Sequence, residues 1–173
     1  MNTIAVNRPD TATAPMPFDS ALTLQVQDFY IRYAHTICDD KLEEWPNFFE
    51  DPCLYRIIPR ANYDRNFPVA PMFCESKGAL FDRVTAIRST LVFAPRAITH
   101  HVTGVRIIGR EGDTIRTRSA VSVYQTMVEG ETKMLLIAKT LDSIRISQPG
   151  FQFVKRDVIY DTELLASALI FPV

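Results

Sequence analysis

The chain reads as an α+β fold in which N-terminal helices pack into a strongly curved, mostly antiparallel sheet, giving a cone. Three observations predict it. Apolar residues at helical spacing are confined to the first half of the sequence, and after Pro95 they give way to the two-residue alternation of half-buried strands. The four long alternating stretches are joined by tight turn signals, which makes the sheet a meander with one packed face. Strands of more than about ten residues must twist and curl. A curled sheet has a concave side, and the helices of the first half are the material available to fill it.

Residues 1–18, rich in Thr, Ala and Pro, read as a flexible arm, and residues 19–173 as one α+β domain. A first helix starts at Asp19 or Ser20, with Ser20 a plausible N-cap. Its apolar stripe is Leu22, Val26, Phe29, Tyr33 and Ile37, at steps of four, three, four and four. Asp39 and Asp40 interrupt it and cap a second helix carrying Leu42, Trp45, Phe48 and Phe49, with Pro46 tolerated in its first turns. Cys53–Pro59 is strand-like. Residues 60–71, with Asn62, Asp64, Asn66, Pro68 and Pro71, are loop chemistry, and a brief strand, Met72–Cys74, follows. Ser76 caps a third helix with Leu80, Val84, Ile87 and Leu91 on one stripe and Lys77, Asp82, Arg83 and Arg88 on its exposed side. The long strands are Thr99–Arg110, Thr114–Val128, Lys133–Ser147 and Phe151–Tyr160, separated by turns at 111–113, 129–130 and 148–150.

At 173 residues the chain is one domain's worth, and 47% hydrophobic with 23% charged residues permits a real core. A net charge of −1 and a pI near 6.3 argue against nucleic acid, whose binders carry a basic stripe. Three cysteines at wide spacing, with no CxxC, fit buried thiols in a reducing cytoplasm. No apolar run approaches the ~18 residues of a membrane span, and the N-terminal residues lack the pattern of a secretory leader.

Catalytic signatures are missing: no G-x-S-x-G, no phosphate loop, no H-E-x-x-H. The three histidines are His35, His100 and His101. Neighbours on a strand point to opposite faces, so His100 and His101 cannot share one metal without a bulge. The best catalytic candidate is His101 as a general base inside the cone, on the face of Thr103, Val105 and Ile107. Asp39, Asp40 or Asp142 could orient it, and Tyr30, Tyr33 or Tyr55 could polarise a carbonyl. That would make a stand-alone dehydratase or isomerase; a binding protein for a small aromatic ligand is a third option. Trp45, Phe48 and Phe49 could line a pocket or anchor an interface, or they could close the chain's own core.

Several pieces in order carry a family resemblance: Leu42-Glu43-Glu44-Trp45-Pro46-Asn47-Phe48-Phe49, Cys53-Leu54-Tyr55-Arg56-Ile57, Asp82-Arg83-Val84, Ile87-Arg88, His101-Val102-Thr103-Gly104, Leu141-Asp142, Phe153-Val154-Lys155-Arg156-Asp157, and an apolar tail from Leu164 to Val173. Over Leu24 to Val173 the chain resembles the small (β) subunits of Rieske non-haem iron aromatic-ring-hydroxylating oxygenases. Within them it is most similar to those serving enzymes of aromatic carboxylates, of the salicylate 5-hydroxylase or terephthalate dioxygenase type. The resemblance implies a cone like those of scytalone dehydratase and nuclear transport factor 2, and a cytoplasmic α3β3 assembly with a large (α) subunit. It places the Rieske [2Fe–2S] cluster and the mononuclear Fe(II) in that partner, which receives electrons from a ferredoxin and a reductase. The small subunit then holds the assembly together, and in this chain no catalytic, cofactor-binding or metal-ligating residue is expected.

Overall fold

Val26, Phe29, Tyr33 and Ile37 are buried along α1 (Ser20–Cys38), as their spacing requires. Asp19, rather than Ser20, caps it: its side chain accepts from the Leu22 N–H at 3.0 Å. The protein is described here from a computed structural model covering residues 19–147, 150–162, 164–165 and 167–173. The arm expected over residues 1–18, and Gln148 and Pro149 of the last turn, lie outside the described residues.

The predicted second helix is a single 3₁₀ turn, Trp45–Phe48, because Phe49 is already extended and opens β1 (Phe49–Pro59). Proline suits such a first turn, lacking a donor where none is needed. Strand β1 therefore starts four residues before Cys53. Within the expected 60–71 loop sits a one-turn helix, α2 (Arg60–Asp64), followed by β2 (Met72–Cys74). Ser76 caps α3 (Lys77–Ser89), its Oγ accepting from the Ala79 N–H at 3.1 Å, and Leu80, Val84 and Ile87 face the core.

The long strands are β3 (Arg96–Glu111), β4 (Thr114–Met127), β5 (Thr132–Ser147) and β6 (Gly150–Tyr160). They form the expected antiparallel meander, and β1 pairs parallel to β6, so the sheet order is β2-β1-β6-β5-β4-β3. Helix α1 lies in the concavity. Its Phe29 ring sits 4.8 Å from Phe153 of β6, its Tyr30 bonds to Asp142 of β5 and Thr117 of β4, and Cys38 accepts from the His100 N–H of β3 at 3.3 Å. The first-half helices are not the only filling. Val173 is also inside the cone, 1% exposed, and joins the same core cluster.

The expectation that His101 points inward is wrong. His100 is buried, while His101 is exposed and packs beside Tyr124 of β4 at 5.3 Å between ring centroids. The reason is a bulge. Gly104 has φ of 62°, and the β3–β4 register shifts between Thr103 and Arg106. Val105 and Ile107 do pack on the core, but an extra residue separates them from His101. Extrapolating their face backwards through the bulge inverts it.

Gly104→Ala should cost about 1 kcal/mol in urea unfolding, the left-handed penalty alone, since nothing lies within 4 Å of an added Cβ. Gly104→Asn should cost less, because asparagine tolerates that region better. A neutral Gly104→Ala would show that the bulge does not need a left-handed residue.

Candidate functional site

The cone's interior is polar at its heart and aromatic around it. Arg156 of β6 is fully buried, and its Nη1 donates to Asp142 Oδ2 of β5 at 2.9 Å. The same Oδ2 accepts from the Tyr30 hydroxyl at 2.5 Å and from Thr140 Oγ1 at 2.8 Å. Thr117 lies 2.7 Å from the Tyr30 oxygen, and Ser119 2.7 Å from Thr140. The guanidinium carbon sits 4.5 Å from the Tyr33 ring centroid and 4.9 Å from that of Phe153, close enough for cation–π attraction in a dry site. Trp45, Phe49 and Tyr55 complete the wall, with Trp45 and Tyr55 centroids 5.3 Å apart.

The residues after β6 close the remaining opening. Arg83 of α3, predicted to be exposed, is partly buried and donates to the Leu169 and Ile170 carbonyls at 2.8 and 2.7 Å. The Phe171 ring packs on Phe93 at 5.5 Å. Val173 then enters: its oxygen accepts from Tyr33 at 2.9 Å, Tyr55 at 3.1 Å and Arg156 Nε at 3.4 Å, and its N–H donates to the Tyr55 oxygen at 2.7 Å. Trp45 Nε1 donates to the Tyr33 oxygen at 3.0 Å, so the ring wall and the inserted residue share one hydrogen-bond chain.

Burial lifts the Asp142 carboxyl above its usual range, with Arg156 opposing. Burial alone would weaken the charge on Arg156, but Asp142 and the surrounding tyrosines more than offset it, so the guanidinium stays charged. Burial also raises Tyr30, Tyr33 and Tyr55, which keeps all three phenols neutral and able to donate. His100 is pushed down to about 4, first by burial and then by the charge of Arg156. A carboxylate oxygen already holding three donors is poorly placed to take a proton from a substrate.

Of the predicted candidates, the structure brings Asp142, Tyr30, Tyr33 and Tyr55 together. It leaves His101 outside, and Asp39 and Asp40 on the exposed C-terminal end of α1. Asp40 there accepts from Arg88 Nη1 at 2.9 Å, so Arg88 is engaged within the chain, as it also is by Glu43. His35 is exposed elsewhere on α1. Among the described residues, no group of three His, Cys, Asp or Glu is placed to hold a metal ion, so the donors described form no set that fits an iron centre. Sequence reasoning missed Arg156, His100, Thr117, Thr140 and Val173 as members of the interior. The alternation of β4 did place positions 117 and 119 inward with Ile115 and Val121, a signal that was available.

This architecture is that of the α+β cones. A scytalone dehydratase-type protein from Novosphingobium aromaticivorans superimposes with a TM-score of 0.65 at 14% identity, over 86% of this chain and 91% of that one, which speaks for the fold alone. Residues 32–167 match the ring hydroxylating beta subunit family, and the chain belongs to that family. The small subunit of anthranilate 1,2-dioxygenase from Burkholderia cepacia is 30% identical over 82% of this chain and 88% of its own. A β subunit of terephthalate 1,2-dioxygenase from a Comamonas species is 25% identical over 86% and 97%. The β subunit of an aromatic-ring-hydroxylating dioxygenase from Novosphingobium aromaticivorans superimposes with a TM-score of 0.81 at 35% identity, over 88% and 97%.

Removing one member of the buried pair, by Asp142→Asn or Arg156→Met, should cost roughly 3–5 kcal/mol in urea unfolding, because the other charge is stranded. The double variant Asp142→Leu/Arg156→Met should cost clearly less than the sum; simple additivity would show that the two groups do not depend on each other. His100 titrates near 6.5 when unfolded but only near 4 when folded. Between those values the unfolded chain binds the extra proton, so its contribution to stability is complete above about pH 6.5 and falls as pH drops toward 4, by at most about 1.4 kcal/mol per unit. His100→Gln should flatten this part of the stability curve; an unchanged slope would remove His100 as its source.

Proposed function

We propose that this chain is the non-catalytic small subunit of a multicomponent oxygenase that hydroxylates an aromatic carboxylate. The single observation that carries the reading is the filled interior. Asp142 and Arg156 are bound to each other, Val173 takes the donors that face the opening, and His101 lies outside. A stand-alone dehydratase or isomerase would need an open pocket with a free base, and no observation favours that reading.

The family relatives supply the rest. Anthranilate and terephthalate, named for two of them, are both aromatic carboxylates, and a salicylate-like ring acid is the substrate this proposal assigns to the assembly. The large subunit of a cytoplasmic α3β3 complex would carry the Rieske cluster and the mononuclear iron, fed by a ferredoxin and a reductase. That group would supply the electron transfer and dioxygen chemistry. This chain would supply rigidity and surface. Its outer faces carry exposed Leu24, Phe67, Val69, Val92 and Val128, apolar area of the kind a permanent interface of more than about 2,000 Å² covers.

Co-expression with the large subunit, followed by size-exclusion chromatography and an absorbance spectrum, should give one brown peak near the mass of three large plus three small chains. Elution of this chain alone, colourless and folded, would sink the subunit reading. If the brown complex forms but turns over anthranilate or terephthalate and leaves salicylate untouched, only the substrate assignment fails.

A further inference from the structure

Charge is not spread evenly over this chain. The sequence holds no Asp or Glu from residue 95 to 110 or from 114 to 128, yet those two stretches carry five arginines in a chain of net charge −1. They make up nearly all of β3 and β4, and the one carboxylate of β5, Asp142, is buried inside the cone. The outer face of this half of the sheet is therefore cationic. Its ladders set Arg106 of β3 directly opposite Arg118 of β4, with Leu141 of β5 next in the row. Both arginines are exposed, and neither has a hydrogen bond or ion pair among the described residues. Two positions along β4, the Arg116 guanidinium lies over Gly109, where an added Cβ would meet its Nη2 at 2.8 Å.

Like charges directly opposite on neighbouring strands destabilise a sheet. An edge strand keeps a charge to repel stray pairing, which accounts for Arg106 on β3. It does not account for Arg118, because β4 is paired on both sides. On the other half of the same outer face the cations are neutralised: Asp157 holds Arg56 and, at 3.0 Å, Lys155. The cationic half is apolar as well, with Ile108 46% and Ile137 45% exposed. Arginine among apolar side chains is the composition of an interface core.

From this we infer that the outer face of β3, β4 and β5 around Arg106 and Arg118 is the docking surface for a carboxylate-bearing face of the large subunit. The inference rests on the subunit role proposed above, and adds where on this chain the partner sits and which charge it brings. A second copy related by a two-fold axis would set these cations against themselves. An electron donor must approach the redox centres, which the proposed function places in the large subunit.

The complex of this chain with the large subunit is the material for the test, its dissociation followed by size-exclusion chromatography over a dilution series. Arg106→Glu/Arg118→Glu should weaken it by about tenfold or more and Arg106→Gln/Arg118→Gln by less; raised KCl should weaken the wild type but not the reversed variant. Arg106→Glu alone sets opposite charges across β3–β4, so the isolated chain should keep or gain Tm while the complex weakens. The charge-matched Arg32→Glu on α1 should change affinity by less than about twofold. If the wild type forms no complex, the subunit reading falls and this inference falls with it. If the wild type assembles and the double reversal still binds within about twofold of it, the subunit reading stands and the docking face is overturned. An equal loss with Arg32→Glu would also overturn it, since only net charge would then matter. So would self-association or oligonucleotide binding by the isolated chain that the double reversal abolishes while assembly stays intact. Should the double reversal lower the Tm of the isolated chain, the comparison of Arg106→Glu with Arg32→Glu decides.

Discussion

A fully buried cation organises this molecule. Arg156 lies on the concave face of the sheet, where an unpaired guanidinium would be intolerable. It is tolerated because Asp142 lies directly opposite it across β5–β6, and because Tyr30, Thr140, Tyr33 and Phe153 surround the pair with donors and ring faces. Those side chains come from three elements, so α1, β5 and β6 must dock together for the whole set to be satisfied. The aromatic stripe of α1, which by periodicity alone is only an apolar face, is thereby given one seat on the sheet.

Much of this was legible in the sequence. The α1 stripe, the Ser76 cap, the four long strands and their turns follow from periods of 3.6 and 2 and from turn chemistry, which are local properties. What was not legible depends on partners distant in the chain. Arg156 sits in Val-Lys-Arg-Asp-Val, where a strand with one solvated face would place charges outward; both Arg156 and Asp157 are buried, because β6 is central and the Asp157 carboxylate is bound by Arg56 of β1. Gly104 could be seen in the sequence, but whether it made a turn, a bulge or nothing was decided by β4. Likewise Trp45-Pro46-Asn47-Phe48 has helical spacing too short to show that Phe49 joins the sheet.

Here the polar groups suited to chemistry face one another or the chain itself. The comparison with a scytalone dehydratase-type cone therefore carries architecture and nothing more, while the family match carries the assignment.

The parallel pairing of β1 with β6 has a consequence for how the chain is made. Ile57 finds Val158, and Arg56 finds Asp157, only after about a hundred intervening residues have been synthesised. Until then β1 has β2 alone beside it, and the meander β3-β4-β5 has an uncapped edge. Contacts this distant in sequence slow folding, because the loop must close before the pairing returns any stability. On the ribosome, the chain therefore passes through the last part of its synthesis as two incomplete sheets with sticky edges, joined only when the last strand emerges.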